Sequence, residues 1–163
     1  MNTENMHTEM NGSRPILVPI ELTESANAIL SKASELARSL SRPLVVLHVV
    51  HDSVEIPGQY VNHEHEGVAM PMIEVARGHL DRLVSTHPEL DRLEGLRTVL
   101  VEGLPARRIL EAVEREEPEM IVMGSHGRSG VSRFVSGSIA ETVTRASRVP
   151  VTIVKSAQAA PAD

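Results

Sequence analysis

Short, unbroken apolar runs alternate along this chain with longer segments whose apolar residues recur every three or four positions. Ile16-Leu17-Val18-Pro19-Ile20 is the first run. It is too short for a helix and reads as a buried strand, with Pro19 at its end, away from central ladder positions. Ala26, Ile29, Leu30, Ala33, Leu36, Ala37 and Leu40 then follow at helical spacing, with Thr23 or Ser25 as the expected cap and Ser41-Arg42-Pro43 as the stop. Leu44 to Val50 is a second strand, rich in β-branched residues. Asp52 to Met70 holds Pro57, Gly58, Gly67 and a polar patch, and reads as a long loop. Helical spacing returns with Ile73, Ala76, Leu80, Leu83 and Val84 and stops near Pro88. Arg97 to Val101 predicts a third strand, and Gly103-Leu104-Pro105 a turn that places proline at a helix's first position. Ala106, Ile109, Leu110 and Val113 form the apolar stripe of that helix, closed by Pro118. Met120 to Met123 is the fourth strand, and a Gly/Ser segment from Gly124 to Gly137 follows it. Ile139, Val143 and Ala146 mark the last helix and Val149 to Val154 the fifth strand.

Strand and helix thus alternate from end to end. The strands are continuous apolar runs, which implies burial on both faces, as in a parallel sheet covered by helices on each side. Right-handed crossovers constrain the winding. In such sheets ligands bind beyond the carboxyl ends of the strands, where strand order reverses. With the first strand central, the loops after Ile20, Val50 and Met123 share one crevice.

Composition narrows the chemistry. Aromatic residues are 1% of the 163, so aliphatic side chains must build the core and no stacking platform for single-stranded nucleic acid is expected. Sixteen basic against 22 acidic residues leave a net charge of −6, which argues against a broad polyphosphate-binding surface. There is no cysteine, which excludes disulfides, thiolate metal sites and cysteine nucleophiles. The longest apolar stretch is far short of a membrane span, and Met1 to Ser13 lacks the apolar run of a signal peptide. The expectation is a cytoplasmic protein with one domain over 14–155, flanked by disordered tails at 1–13 and 156–163.

One segment carries candidate chemistry. Gly124-Ser125-His126-Gly127-Arg128-Ser129-Gly130 leaves a buried strand, and Gly137-Ser138-Ile139 opens a helix. Glycines let backbone N–H groups approach an anion, and a helix N-terminus adds free donors and partial positive charge. Together they describe a phosphate cradle, with Ser125 and Ser138 as hydroxyl donors and Arg128 as a nearby cation. It is neither a Walker A loop nor the dinucleotide fingerprint, which would follow the first strand. From composition alone, a plain turn into a tight helix start is an equal reading.

The spacing Gly124-x2-Gly127-x9-Gly137-Ser138 resembles the motif of nucleotide-binding universal stress proteins. The resemblance runs over about Pro15 to Lys155. Ile16 to Pro19, Leu47-His48-Val49-Val50, Met123 to Gly127 and Arg148-Val149-Pro150-Val151 are similar to that family's first, second, fourth and fifth strand segments. It implies a three-layer sandwich of the adenine nucleotide alpha hydrolase type, with a five-stranded parallel sheet of order 3-2-1-4-5, and a crevice for ATP accompanied by Mg²⁺. Carried over by residue, Gly124, Gly127, Gly137 and Ser138 would hold phosphates and ribose, and Ile139 would add a backbone N–H. Pro19 and Ile20 would line the adenine side and Val49 would meet the base through its backbone, with Met123, His126 and Arg128 completing the site. The family's aspartate after the first strand is Glu21 here, one methylene longer, which either reaches the ribose or crowds the nucleotide. The resemblance further implies a homodimer paired through Val149–Val154 and a regulatory output through a protein partner. Slow ATP hydrolysis, autophosphorylation at a residue such as Ser138, and a nucleotide-free interaction module stay open as alternatives.

Other features carry less. His63 and His65, two apart in a loop with no clear third ligand, do not define a metal site. His48, inside an apolar strand, reads as a hydrogen-bonded core histidine. Glu114, Glu116, Glu117 and Glu119 read as a solvated acidic face, and Arg77, Arg82, Arg92 and Arg97 make no nucleic-acid footprint. Phe134 is expected to pack its loop against the domain, and Tyr60 has no assigned role.

Overall fold

The computed structural model describes residues 13–51, 71–125 and 139–155. Along them run β1 (Ile16–Ile20), α1 (Ser25–Leu40), β2 (Leu44–Val50), α2 (Met72–Ser85), β3 (Arg97–Glu102), α3 (Pro105–Glu116), β4 (Met120–Gly124), α4 (Ile139–Ala146) and β5 (Val151–Val154). The five strands form one parallel sheet in the order β3-β2-β1-β4-β5. This is the three-layer architecture expected from the sequence.

Side chains alternate across each strand, so one apolar run feeds two cores. Ile16, Val18 and Ile20, with Leu44 and Val46, pack under Ile29, Leu30 and Ala33 of α1 and Leu80 of α2. Leu17, Val45, Leu47, Val49, Ile121 and Met123 pack on the opposite face, under Ile109, Ala112 and Val113 of α3 and Val143 of α4. Every residue of β1 and β2 is buried. Each aliphatic side chain so buried stabilises the fold by about 1.5–3 kcal/mol in transfer terms.

Four expectations change in detail. β1 is the central strand and still contains Pro19. The proline is tolerated because β1 pairs with β4 only through Ile16 and Leu17, so Pro19 lies beyond that ladder and is paired on the β2 side, with Leu47. Neither Thr23 nor Ser25 caps α1. Glu24 holds the N-cap position in a helical conformation without a side-chain cap, the Thr23 and Ser25 hydroxyls bond each other at 2.7 Å, and backbone turn bonds from Ala26 and Asn27 to Thr23 and Glu24 carbonyls satisfy the first donors. β5 starts at Val151, two residues late, with Val149 packed against the core just before it.

The acidic cluster at the end of α3 is not simply a solvated face. Glu116 is 10% exposed and bonded by both Arg97 and Arg115, Glu114 pairs with Arg148 at 2.9 Å, and Glu119 pairs with Arg42 at 2.5 Å. Arg14 donates to the Glu117 and Pro118 carbonyls at 2.9 and 2.7 Å. Four strands are thus entered through arginines (Arg14, Arg42, Arg97 and Arg148), and all four converge on the end of α3 and the turn into β4. Cations are favoured there because a helix C-terminus carries partial negative charge. Partial burial pushes the Glu116 carboxyl up, but the hydrogen bonds from Arg97 and Arg115 outweigh it and hold the group below the usual carboxylate range.

Candidate functional site

The order of the sheet fixes where a ligand fits. From β1 the chain crosses toward β2 and β3 under one helical layer, and from β3 it returns to β4 and β5 under the other. The reversal falls between β1 and β4, the place where doubly wound sheets open a crevice. Above Leu17 the two strands go with different partners. β1 follows β2 up to the pair Ile20 and His48, and β4 follows β5 up to Gly124 and Val154. The Ser125 N–H extends the second ladder by one bond, 3.2 Å to the Val154 carbonyl.

Six expected residues meet at this carboxyl edge. Pro19, Ile20, Val49 and Met123 are buried, and Glu21 and Gly124 are half-buried, so apolar walls end in partly open backbone. Ile139 begins α4 and packs against the core under that layer, and because α4 links the exit of β4 to the entry of the parallel β5, its first turn belongs to the exit side of the sheet. His126, Gly127, Arg128, Gly137 and Ser138 lie outside the described residues, as do the 52–70 loop with His63 and His65, Tyr60, Phe134 and both proposed tails.

Chemically, this edge offers aliphatic walls for an apolar ring, backbone groups at strand ends, a helix start, and one carboxylate in Glu21. Glu21 leads straight into α1, since its carbonyl accepts the Thr23 N–H at 2.9 Å. Among the described residues no group of three His, Asp or Glu side chains is placed to hold a metal ion. None of their helices is long and apolar enough to cross a membrane.

His48 is the residue whose connection to the site the sequence reading did not find. It is a buried, hydrogen-bonded histidine as expected, 2% exposed, but its partner is the Ile20 carbonyl, 2.9 Å from Nδ1. Burial pushes its pKa down; the bond to Ile20 opposes this, and His51 and His79 add to the lowering. The ring is therefore neutral near pH 7, and a carbonyl partner requires the proton on Nδ1. Strand parity places His48 on the same face as Leu44 and Val46, but the register that sets it against Ile20 comes from the pairing of the two strands. A separate hollow of about 560 Å³ between α3 and α4, lined by Leu104, Leu110, Val113 and Ala146 among others, includes none of these residues.

Comparison with known proteins agrees with this geometry. The model of the universal stress protein family matches residues 12–155, and the chain belongs to that family. It is 26% identical over 155 residues to the universal stress protein MJ0577 of Methanocaldococcus jannaschii, covering 87% of this chain and 94% of the relative. It is 40% identical to MJ0531 of the same organism over 60 residues, 37% of this chain and 35% of that protein. Several mycobacterial universal stress proteins are matched over 45% of their own length, so the chain spans about half of them. The structure of MJ0577 superposes with a TM-score of 0.66 at 24% identity, covering 90% of this chain and 98% of the other. The universal stress protein of Archaeoglobus fulgidus, solved in complex with dAMP, superposes at 0.59 with 22% identity, covering 86% and 96%. At these identities the superpositions show the shared fold.

Proposed function

We propose that this protein binds ATP, with Mg²⁺ accompanying the triphosphate, in the crevice between β1 and β4, and that occupancy regulates its binding of a protein partner in a stress response. The observation that carries the reading is positional. The glycine motif begins at Gly124, the last residue of β4, and ends at Ser138, just before Ile139, the first of α4, beside the one place where the sheet's order reverses. The dAMP complex of a protein sharing this fold supports an adenine nucleotide.

In this reading Pro19, Ile20, Val49 and Met123 wall the adenine, and Gly124, Gly127, Gly137, Ser138 and the Ile139 N–H hold the phosphates, with His126 and Arg128 beside them. Glu21 faces the ribose. With a net charge of −6, the cradle relies on amides and a helix end more than on cations. The functional unit is a cytoplasmic homodimer of the 14–155 domain, paired through β5, an edge strand whose Ile153 is 37% exposed.

Denatured protein is assayed for released nucleotide, and calorimetry with ATP and Mg²⁺ gives affinity. ATP carried through purification or bound at micromolar to millimolar concentration is the expected result; the absence of both retained nucleotide and millimolar binding overturns the reading and leaves a nucleotide-free interaction module. Steady ADP release above a Gly127→Val control moves it to a slow enzyme. Sedimentation at tens of micromolar is expected to give a dimer that Ile153→Asp converts to monomer.

A further inference from the structure

His48 sits at the point where the central strand ends and the candidate site begins. Ile20 is the last residue of β1, and the ladder to β4 has already stopped at Leu17. Above Leu17 the ladder pairing of β1 is therefore with β2, while its Val18 and Ile20 side chains pack under α1. Its last carbonyl accepts a hydrogen bond from His48, a residue 2% exposed that shares a face with Leu44 and Val46, toward α1 and α2. The next residue is Glu21, whose carbonyl starts the turn into α1.

A histidine in a fully buried strand costs more to desolvate than the leucine or valine that fills the equivalent positions around it. Its bond recovers part of that cost only if the Ile20 carbonyl stays where it is. The bond thus couples the β2 core to one peptide plane, Ile20–Glu21. That plane orients both an adenine-wall residue and the only described carboxylate at the crevice.

We propose that His48 is a positioning residue for the nucleotide site: its Nδ1–H holds the Ile20 carbonyl and so fixes the backbone from which Ile20 and Glu21 meet the ligand. The proposal rests on the nucleotide reading given above.

The test uses the full chain with ATP and Mg²⁺, comparing wild type, His48→Asn, His48→Leu, Glu21→Ala and the double variant Glu21→Ala with His48→Leu. Asparagine puts an amide donor where Nδ1–H stands; leucine fills the space without one. His48→Leu is expected to weaken ATP binding about tenfold and His48→Asn to stay within about twofold of wild type. In the Glu21→Ala background, His48→Leu should cost less than about a further twofold, because both act through one contact. Hydrogen exchange on the nucleotide-free protein supplies a second readout. The amides of 21–23 should exchange about tenfold faster in His48→Leu while those of β3 keep their rates. Wild-type affinity in His48→Leu, full multiplication of the two losses, or a His48→Asn as weak as His48→Leu overturns the proposal. A wild type that binds no ATP overturns the nucleotide reading instead, and unchanged exchange at 21–23 then disposes of the tether as well.

Discussion

The two ends of the sheet are built on different principles. At the end where strands enter, arginines from four strands grip the last turn of α3 and the bend into β4, and Glu116 is held by two of the guanidiniums on the molecule. At the end where strands leave, the contacts among the described residues are mostly backbone and neutral ones: His48 to the Ile20 carbonyl, the Gly103 N–H to the Val50 carbonyl, the Ser125 N–H to the Val154 carbonyl. Charged pairs there lie along α3 and α4, where Arg108 bonds the Glu102 carbonyl and Glu111, and Arg145 bonds Glu141. The difference teaches a division of labour. Among the described residues ionic ties collect at the entry end, and the exit end keeps the amides and apolar walls that the proposed site for an anionic ligand calls for.

Substitutions at the two ends should therefore separate affinity from stability. The largest effect is expected for Gly127→Val, which puts a branched side chain where the cradle needs backbone to approach phosphate. Calorimetry should show ATP affinity reduced by at least about a hundredfold, with the melting temperature of the nucleotide-free protein nearly unchanged. Glu116→Ala is the converse. It removes the acceptor of Arg97 and Arg115, and should cost about 1–2 kcal/mol, roughly 3–6 °C in melting temperature, while ATP affinity stays at the wild-type value. Loss of affinity in that variant would end the division.

Acid should reveal a smaller contrast. The folded pKa of His48 lies below its ordinary value of 6.5, so the unfolded chain takes up its proton first. The stability due to this group is whole above that value and is lost as pH falls through the folded one. Glu116, also lowered, contributes stability that is present above the ordinary carboxylate range and disappears at more acid pH. Denaturation midpoints followed downward from about pH 7.5 should show two declines, the first flattened by His48→Leu and the second by Glu116→Gln. The smallest effect is expected for Arg107→Ala. Its pair with Glu111 is 74% and 43% exposed, and scanning calorimetry should find no measurable change in melting temperature.

Much of the architecture was legible because each apolar run had to be buried twice. Leu17 and Val18 cannot both reach a core unless helices cover both faces, and that requirement alone implies a parallel doubly wound sheet. What escaped was set by partners distant in the chain. Nothing local says that Arg14 reaches the carbonyls of Glu117 and Pro118, so the acidic cluster looked like a solvated face. The cap of α1 escaped because backbone turn bonds did the work usually given to Thr23 or Ser25. At the site, Pro19, Ile20, Glu21, Val49, Met123 and Gly124 were named in advance and do share one edge. His48 was read as core because its neighbours are apolar, and its tie to Ile20 depends on a strand register that no local pattern contains.

The short contact between β1 and β4 also bears on how the molecule assembles. β1, β2 and β3 join through successive crossovers between neighbours in sequence, whereas the β1–β4 pairing brings Ile16 to Met120, across three intervening helices and two strands. Contacts between distant segments form late and slowly, because a long loop must close before they are rewarded. The two-residue seam beneath the crevice is thus expected to zip late, and a nucleotide bound across it, as proposed, would act as a latch on the finished fold and slow its unfolding.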